Sequence, residues 1–83
     1  MQYVIAVYRS RNVSMQVYNF LIKNNVRAAL ISTPREARVG CGLSVKFSYG
    51  DYVQFGNVLA KQETFVGFFL VKVTIGGAVF SRL

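Results

Sequence analysis

A two-layer α+β sandwich is the fold class that this sequence predicts, and three observations predict it. The chain has 83 residues, 53% of them hydrophobic, with seven Phe and five Tyr. That is enough apolar surface for one core and too little length for two. Short β-branched and aromatic runs alternate with stretches of helical spacing along the chain. The turn signals between them, Asn24-Asn25, Thr33-Pro34, Gly50-Asp51 and Gly76-Gly77, cut the chain into pieces of element length. Residues 1–83 therefore read as a single domain without linker, repeat or low-complexity segment.

Tyr3 to Tyr8 (YVIAVY) is a continuous run that suits a central strand covered on one face. Ser10 and Asn12 are both good N-cap residues, and either opens a helix to about Asn24. Val13, Val17, Phe20 and Leu21 recur at helical spacing and turn toward the sheet. Asn24-Asn25 stops that helix. Val26 to Ser32 (VRAALIS) predicts a second strand, and Pro34, which has no N–H for a ladder, forces a loop. Leu43 to Tyr49 (LSVKFSY) sets Leu43, Val45, Phe47 and Tyr49 against Ser44, Lys46 and Ser48, the period of a strand with two unlike faces. Gly50-Asp51 opens a short helix through Tyr52, Phe55 and Leu59 to about Gln62, weakened by Gly56, with Asp51 as its cap. Phe65 to Ile75 predicts a long strand, Gly76-Gly77 a two-residue hairpin turn, and Ala78 to Arg82 a short returning strand. This order closes economically as a split βαβ, or ferredoxin-like, sandwich with a C-terminal hairpin appended. Its sheet order is fourth, first, third, second.

Ten Lys or Arg against Glu36, Asp51 and Glu63 give a net charge of +7, which favours anionic partners without naming one. The chain has one Cys and no His. That excludes Ser–His and Cys–His catalysis, internal disulfides, CxxC redox pairs, and zinc or iron–sulfur sites. A carrier or binding protein is expected rather than a stand-alone enzyme, with no cofactor and no metal. The N-terminus, MQYVIAVYRSR, lacks a basic segment before its apolar run. The apolar tract Phe65 to Phe80 is interrupted by Lys72, Thr74, Gly76 and Gly77, which predicts strands and no membrane span. A cytoplasmic, reducing location follows as the expectation, and the apolar C-terminal third suits a homodimer interface.

One stretch gathers unusual chemistry. TPREARVGCGL, residues 33 to 43, holds the only proline and the only cysteine beside Arg35, Glu36 and Arg38. In the expected sheet the first and third strands are antiparallel neighbours. Cys41-Gly42 then comes beside Arg9-Ser10-Arg11-Asn12 and the N-terminus of the first helix. A free thiol of pKa ~8.5 is only about 3% ionised at neutral pH. A helix N-terminus favours the anion by ~0.3–1 kcal/mol, and ~2.7 kcal/mol in all lowers a thiol's pKa by about two units. Arg9, Arg11, Arg35 and Arg38 are the candidate anion stabilisers, with Ser10 and the helix tip on the sulfur's other side. Glu36 is placed to orient one arginine. Gly40 and Gly42 leave the sulfur open and let backbone N–H groups turn toward it. The competing reading is a small buried hydrophobe, the usual state of a lone cysteine.

AVYRS followed by a helix, then STPREARVGCGLSVKF, resembles a family of small bacterial proteins described as selenium/sulfur carrier-like. The resemblance covers about residues 2 to 62. It is most specific in Pro34-Arg35-Glu36 and in Cys41-Gly42-Leu43, and less distinct from Phe65 onward. It implies a single-domain α+β protein whose Cys41 thiol holds sulfane sulfur or selenium as a persulfide or selenosulfide. It also implies partner proteins that donate and accept that cargo.

Two rivals come from other classes. The ferredoxin-like sandwich is also the fold of RNA-recognition modules, which stack bases on aromatics of the two central strands. GCGLSVKF ends in Val45-x-Phe47 like their third-strand motif, yet Gly42 and Ser44 stand where the stackers belong. What remains for nucleic acid is the net charge with Tyr3, Tyr8 and Tyr49, residues that equally suit packing. Arg27, Lys46, Lys61 and Lys72 read as scattered solubilising charges. The second rival is a structural interaction module that dimerises through the C-terminal hairpin, with Cys41 incidental.

Overall fold

The computed structural model describes residues 1–37 and 40–83. Its elements are β1 (Gln2–Tyr8), α1 (Arg11–Lys23), β2 (Ala29–Ser32), β3 (Leu43–Phe47), α2 (Tyr49–Ala60), β4 (Phe65–Thr74) and β5 (Gly77–Arg82). The five strands form one antiparallel sheet in the order β2-β3-β1-β4-β5. The fold is α+β with both helices against the sheet. No helix among the described residues is long and apolar enough to cross a membrane.

The alternation within each strand decides which layer a residue joins. Val4, Ala6 and Tyr8 of β1, Val45 and Phe47 of β3, and Phe68 of β4 pack against Val13, Val17 and Leu21 of α1 and Leu59 of α2. Edge-on aromatic contacts tighten this side, with the Tyr52 and Phe68 rings 4.9 Å apart. Tyr8 is fully buried here, and its hydroxyl donates to Leu59 O at 2.8 Å. That bond ties the exit of β1 to the end of α2. Burial pushes the Tyr8 hydroxyl well above the ordinary tyrosine pKa, because the anion would lose its water.

The opposite face carries Ile5, Val7, Phe69 and Ala37, with Tyr3, Ile31 and Val66 around them. Here the expectation of a first strand covered on one face is corrected, since Val4 through Tyr8 are all fully buried. Two things cover the side without helices. The loop after β2 lays Ala37 on Ile5 and Val7, and the Lys46 ammonium and Arg82 guanidinium lie over the rings of Tyr3 and Phe69. A cation over an aromatic ring is attracted to the ring's negative face.

Several boundaries also differ from expectation. The first helix runs Arg11–Lys23 and stops through a paired αL closure. Asn25 has φ 61, its N–H reaches Ile22 O, and Val26 N–H reaches Leu21 O. This pulls Val26 into the helix-side core, so the second strand begins at Ala29 rather than Val26. The third strand ends at Phe47, not Tyr49, because Ser48 caps α2 and Tyr49 enters the helix. Asp51 is therefore not the cap. It sits in the first turn, where its N–H donates to Ser48 Oγ at 3.1 Å and its carboxylate accepts from the same hydroxyl at 2.7 Å. Helix α2 ends at Ala60 rather than Gln62. The hairpin turn is Ile75-Gly76, one residue earlier than Gly76-Gly77, since Thr74 pairs with Gly77. Thr74 Oγ1 donating to Gly77 O at 2.9 Å holds that register.

Candidate functional site

The site is built where β1 ends, β3 begins and α1 starts. Ser10 has extended backbone (φ −98, ψ 125), and its hydroxyl accepts from Val13 N–H at 3.3 Å, so α1 begins at Arg11. The turn is fastened from outside. Arg9 N–H donates to Thr64 O at 2.9 Å and Ser10 N–H to Thr64 Oγ1 at 3.2 Å. The first turn of α1 contains no acidic residue.

The loop bearing the thiol is fastened at both ends. Ala37 N–H donates to Pro34 O at 3.0 Å, a turn that leaves Arg35 and Glu36 exposed and drives Ala37 into the apolar face. At the loop's neck Thr33 N–H donates to Gly42 O at 2.9 Å, and the Thr33 and Ser44 hydroxyls lie 2.6 Å apart. Gly40 has φ +95, and a Cβ there would come within 2.6 Å of Tyr8 O and 2.8 Å of Val7 Cγ1. Only glycine lets the loop press this closely on β1. Immediately after it, Cys41 N–H donates to Tyr8 O at 3.0 Å, extending the β1–β3 contact past the last ladder pair. Gly42, with φ +85, faces open space.

These bonds set the sulfur of the half-buried Cys41 beside the first turn of α1. Sγ lies 3.8 Å from Ser14 Oγ and 3.5 Å from Leu43 O. Ser14 is fully buried, and its hydroxyl also lies 3.0 Å from Leu43 O and 3.3 Å from Ser10 O. One hydroxyl proton thus has three acceptors in reach. When the sulfur is anionic, donation to it becomes the strongest of the three, because charge-assisted hydrogen bonds are the stronger ones.

Of the residues singled out from sequence, Cys41, Gly40, Gly42 and Ser10 come together at this junction. Ser10 serves as the helix cap, and the hydroxyl nearest the sulfur belongs to Ser14. Arg9 and Arg11 flank the cap and are exposed, as are Arg35 and Glu36 on the loop. Arg38 lies outside the described residues. Ser14 is the residue that sequence reasoning missed. Its signal was a serine four positions after the cap, adjoining the Val13-Val17-Leu21 stripe, where a polar side chain needs a buried partner. Among the described residues no three His, Cys, Asp or Glu side chains gather as metal ligands.

The three tyrosines left in support of nucleic acid separate. Tyr8 is locked in the helix-side core, and Tyr49 is on α2 with its ring 5.6 Å from that of Tyr52. Only Tyr3 lies on the face without helices.

A family model described as "Putative Se/S carrier protein-like" matches residues 3–67. The chain belongs to this family. The match takes in β1 through the first residues of β4, with the whole of the 33–43 loop and Ser14 inside it, and it runs slightly past the stretch of the sequence resemblance. Most of the β4–β5 hairpin falls beyond it. No curated protein and no solved structure matches the chain.

Proposed function

We propose that Cys41 is the carrier thiol of a sulfur or selenium relay. The observation that carries the reading is the sulfur of a half-buried cysteine held against a buried serine hydroxyl, beside a helix start with no acid of its own. A helix N-terminus favours a neighbouring anion. Membership of the family supplies the cargo class. Arg9, Arg11, Arg35 and Arg38 are the further cations that this reading assigns to the anion, with Glu36 orienting one of them.

The chemistry is balanced without a second cysteine in the chain. The Cys41 thiolate attacks the outer sulfur of a donor persulfide. The new S–S bond forms as the donor's own S–S bond breaks, and the donor leaves as a thiolate with the electron pair. Cys41 now bears the sulfane sulfur. An acceptor nucleophile then attacks that outer atom and releases the Cys41 thiolate. No net oxidation occurs, and an outer selenium atom follows the same path. Donor and acceptor are partner proteins, and a reducing compartment keeps the thiol free between transfers. In this reading β1 to β4 with both helices are a ferredoxin-like unit to which β5 is appended. The neighbour order β4, β1, β3, β2 supports that view.

Incubation with a persulfide donor, followed by intact mass measurement, tests the proposal. The expected product is a single sulfur adduct that reductant removes and that Cys41→Ser lacks. An adduct-free wild-type protein whose thiol reacts with iodoacetamide only after unfolding would sink it.

A further inference from the structure

The face of the sheet without helices carries a pattern that the Cys41 reading does not use. Cross-strand pairing places Lys46, Ile5, Phe69 and Arg82 in one row across β3, β1, β4 and β5. The next row is Tyr3, Val71 and Phe80. Directly paired residues of an antiparallel sheet point the same way, so all seven share the face that holds Tyr3, Ile5 and Phe69. Ile5 and Val71 are fully buried, whereas Tyr3 and Phe80 are half-buried. Two aromatic side chains thus flank an apolar floor, and a cation stands at each end of the adjoining row.

Both cations are held in place. Lys46 Nζ is 4.4 Å from the Tyr3 ring centre, and the Arg82 guanidinium is 5.6 Å from that of Phe69. Arg82 Nη2 also donates to Val66 O at 2.7 Å. That bond uses one of the five donors of a guanidinium. Gly67 makes the posture attainable, since a Cβ there would meet Nη2 at 2.9 Å. Three strand spacings put the two cations' backbones about 14 Å apart. The five strands, all among the described residues, contain no Asp or Glu.

We propose that this face binds single-stranded nucleic acid, with Tyr3 and Phe80 as stacking surfaces and Lys46 and Arg82 meeting the phosphates. Charge complementarity selects the ligand class, because strands without carboxylates on a chain of net charge +7 attract polyanions. The interleaved aromatics narrow it further. Unpaired bases offer π-faces alongside phosphates, whereas a duplex buries its bases and an acidic peptide has none. Tyr3 is one of the tyrosines that the sequence left in support of nucleic acid, whereas Phe80 on β5 was not among them. The proposal is independent of sulfur transfer.

Fluorescence anisotropy with a labelled oligouridylate, over a series of salt concentrations, tests it. Saturable binding is expected, and Phe80→Ala and Tyr3→Ala should each weaken it about tenfold with little change in salt slope. Lys46→Gln with Arg82→Gln should lower the slope by about two. Lys61→Gln with Lys72→Gln, which removes equal charge elsewhere, should leave most of it. Phe80→Ala, on an edge strand, carries the stacking test alone if Tyr3→Ala does not fold. Equal competition by duplex RNA or polyglutamate, equal effects of the two charge pairs, or no saturable binding at low salt would each overturn the proposal. Cys41→Ser should bind as the wild type does.

Discussion

The two helices begin alike and end up chemically opposite. Each has a serine cap whose hydroxyl accepts the N–H of the third residue on, Val13 for Ser10 and Asp51 for Ser48. In α2 the first turn supplies its own anion, as Asp51 sits there and grips the capping hydroxyl at 2.7 Å. In α1 that turn has no acid, and a thiol from a distant loop lies beside it with a buried serine hydroxyl between. The contrast teaches that a helix start left without a local anion is available to one brought by the tertiary fold. In α2 the same positive potential already serves the helix's own stability.

Five substitutions would break or sharpen that contrast. The largest effect is expected from Gly40→Ala, which sets a Cβ against Tyr8 O where only φ +95 fits. A loss of about 2–3 kcal/mol in urea unfolding should accompany altered alkylation of Cys41. If both stay at wild-type values, the loop does not depend on this close approach. Next comes Tyr8→Phe, which removes the donor to Leu59 O and should cost about 1–1.5 kcal/mol. It also carries a pH signature. Because burial raises the folded-state pKa of Tyr8 above its unfolded value of about 10, the stability held by the neutral hydroxyl is complete below pH ~10 and lost as pH rises further. Wild-type protein should therefore lose stability more steeply than Tyr8→Phe in alkaline titration, by up to about 1.4 kcal/mol per pH unit.

The caps themselves come third. Ser10→Ala and Ser48→Ala should each cost about 1 kcal/mol in unfolding, with Ser48→Ala the costlier because Asp51 loses a partner too. Thermal melts of the pair would show whether the order is reversed. The smallest effect separates stability from chemistry. Asn12→Asp puts an acid into the first turn of α1 and should stabilise by ~0.3–1 kcal/mol. The same charge should slow iodoacetamide at Cys41 by a factor of about two to five. A variant that is more stable yet equally fast to alkylate would show that the helix start does not act on the sulfur.

Much of this arrangement was legible in local chemistry. Ser10 and Asn12 ahead of Val17 and Leu21 marked the start and the inward face of α1 without choosing between the two caps, and Asn24-Asn25 marked its end. What those residues concealed was the αL closure, which carried Val26 into the core and shortened β2. Ser48 was hidden inside a clean strand alternation, so α2 started three residues earlier than an Asp51 cap suggested. Adjacency of the first and third strands brought Cys41 to the helix start, and that much followed from strand order. Which hydroxyl would meet the sulfur did not, because it depends on the rotation of α1 about its axis.

By itself the amino-acid sequence determined the α+β class, the presence of two helices, the chemistry that a single thiol without histidine can perform, and the excess of positive charge. These follow from short-range patterning and composition, which survive any packing. The tertiary structure alone decided that Ser14 faces Cys41, that both faces of β1 are buried, and that Lys46 and Arg82 flank an aromatic face. Each of those is a meeting of residues far apart in the chain, and it exists only once strand register and helix rotation have been set by the burial of the core.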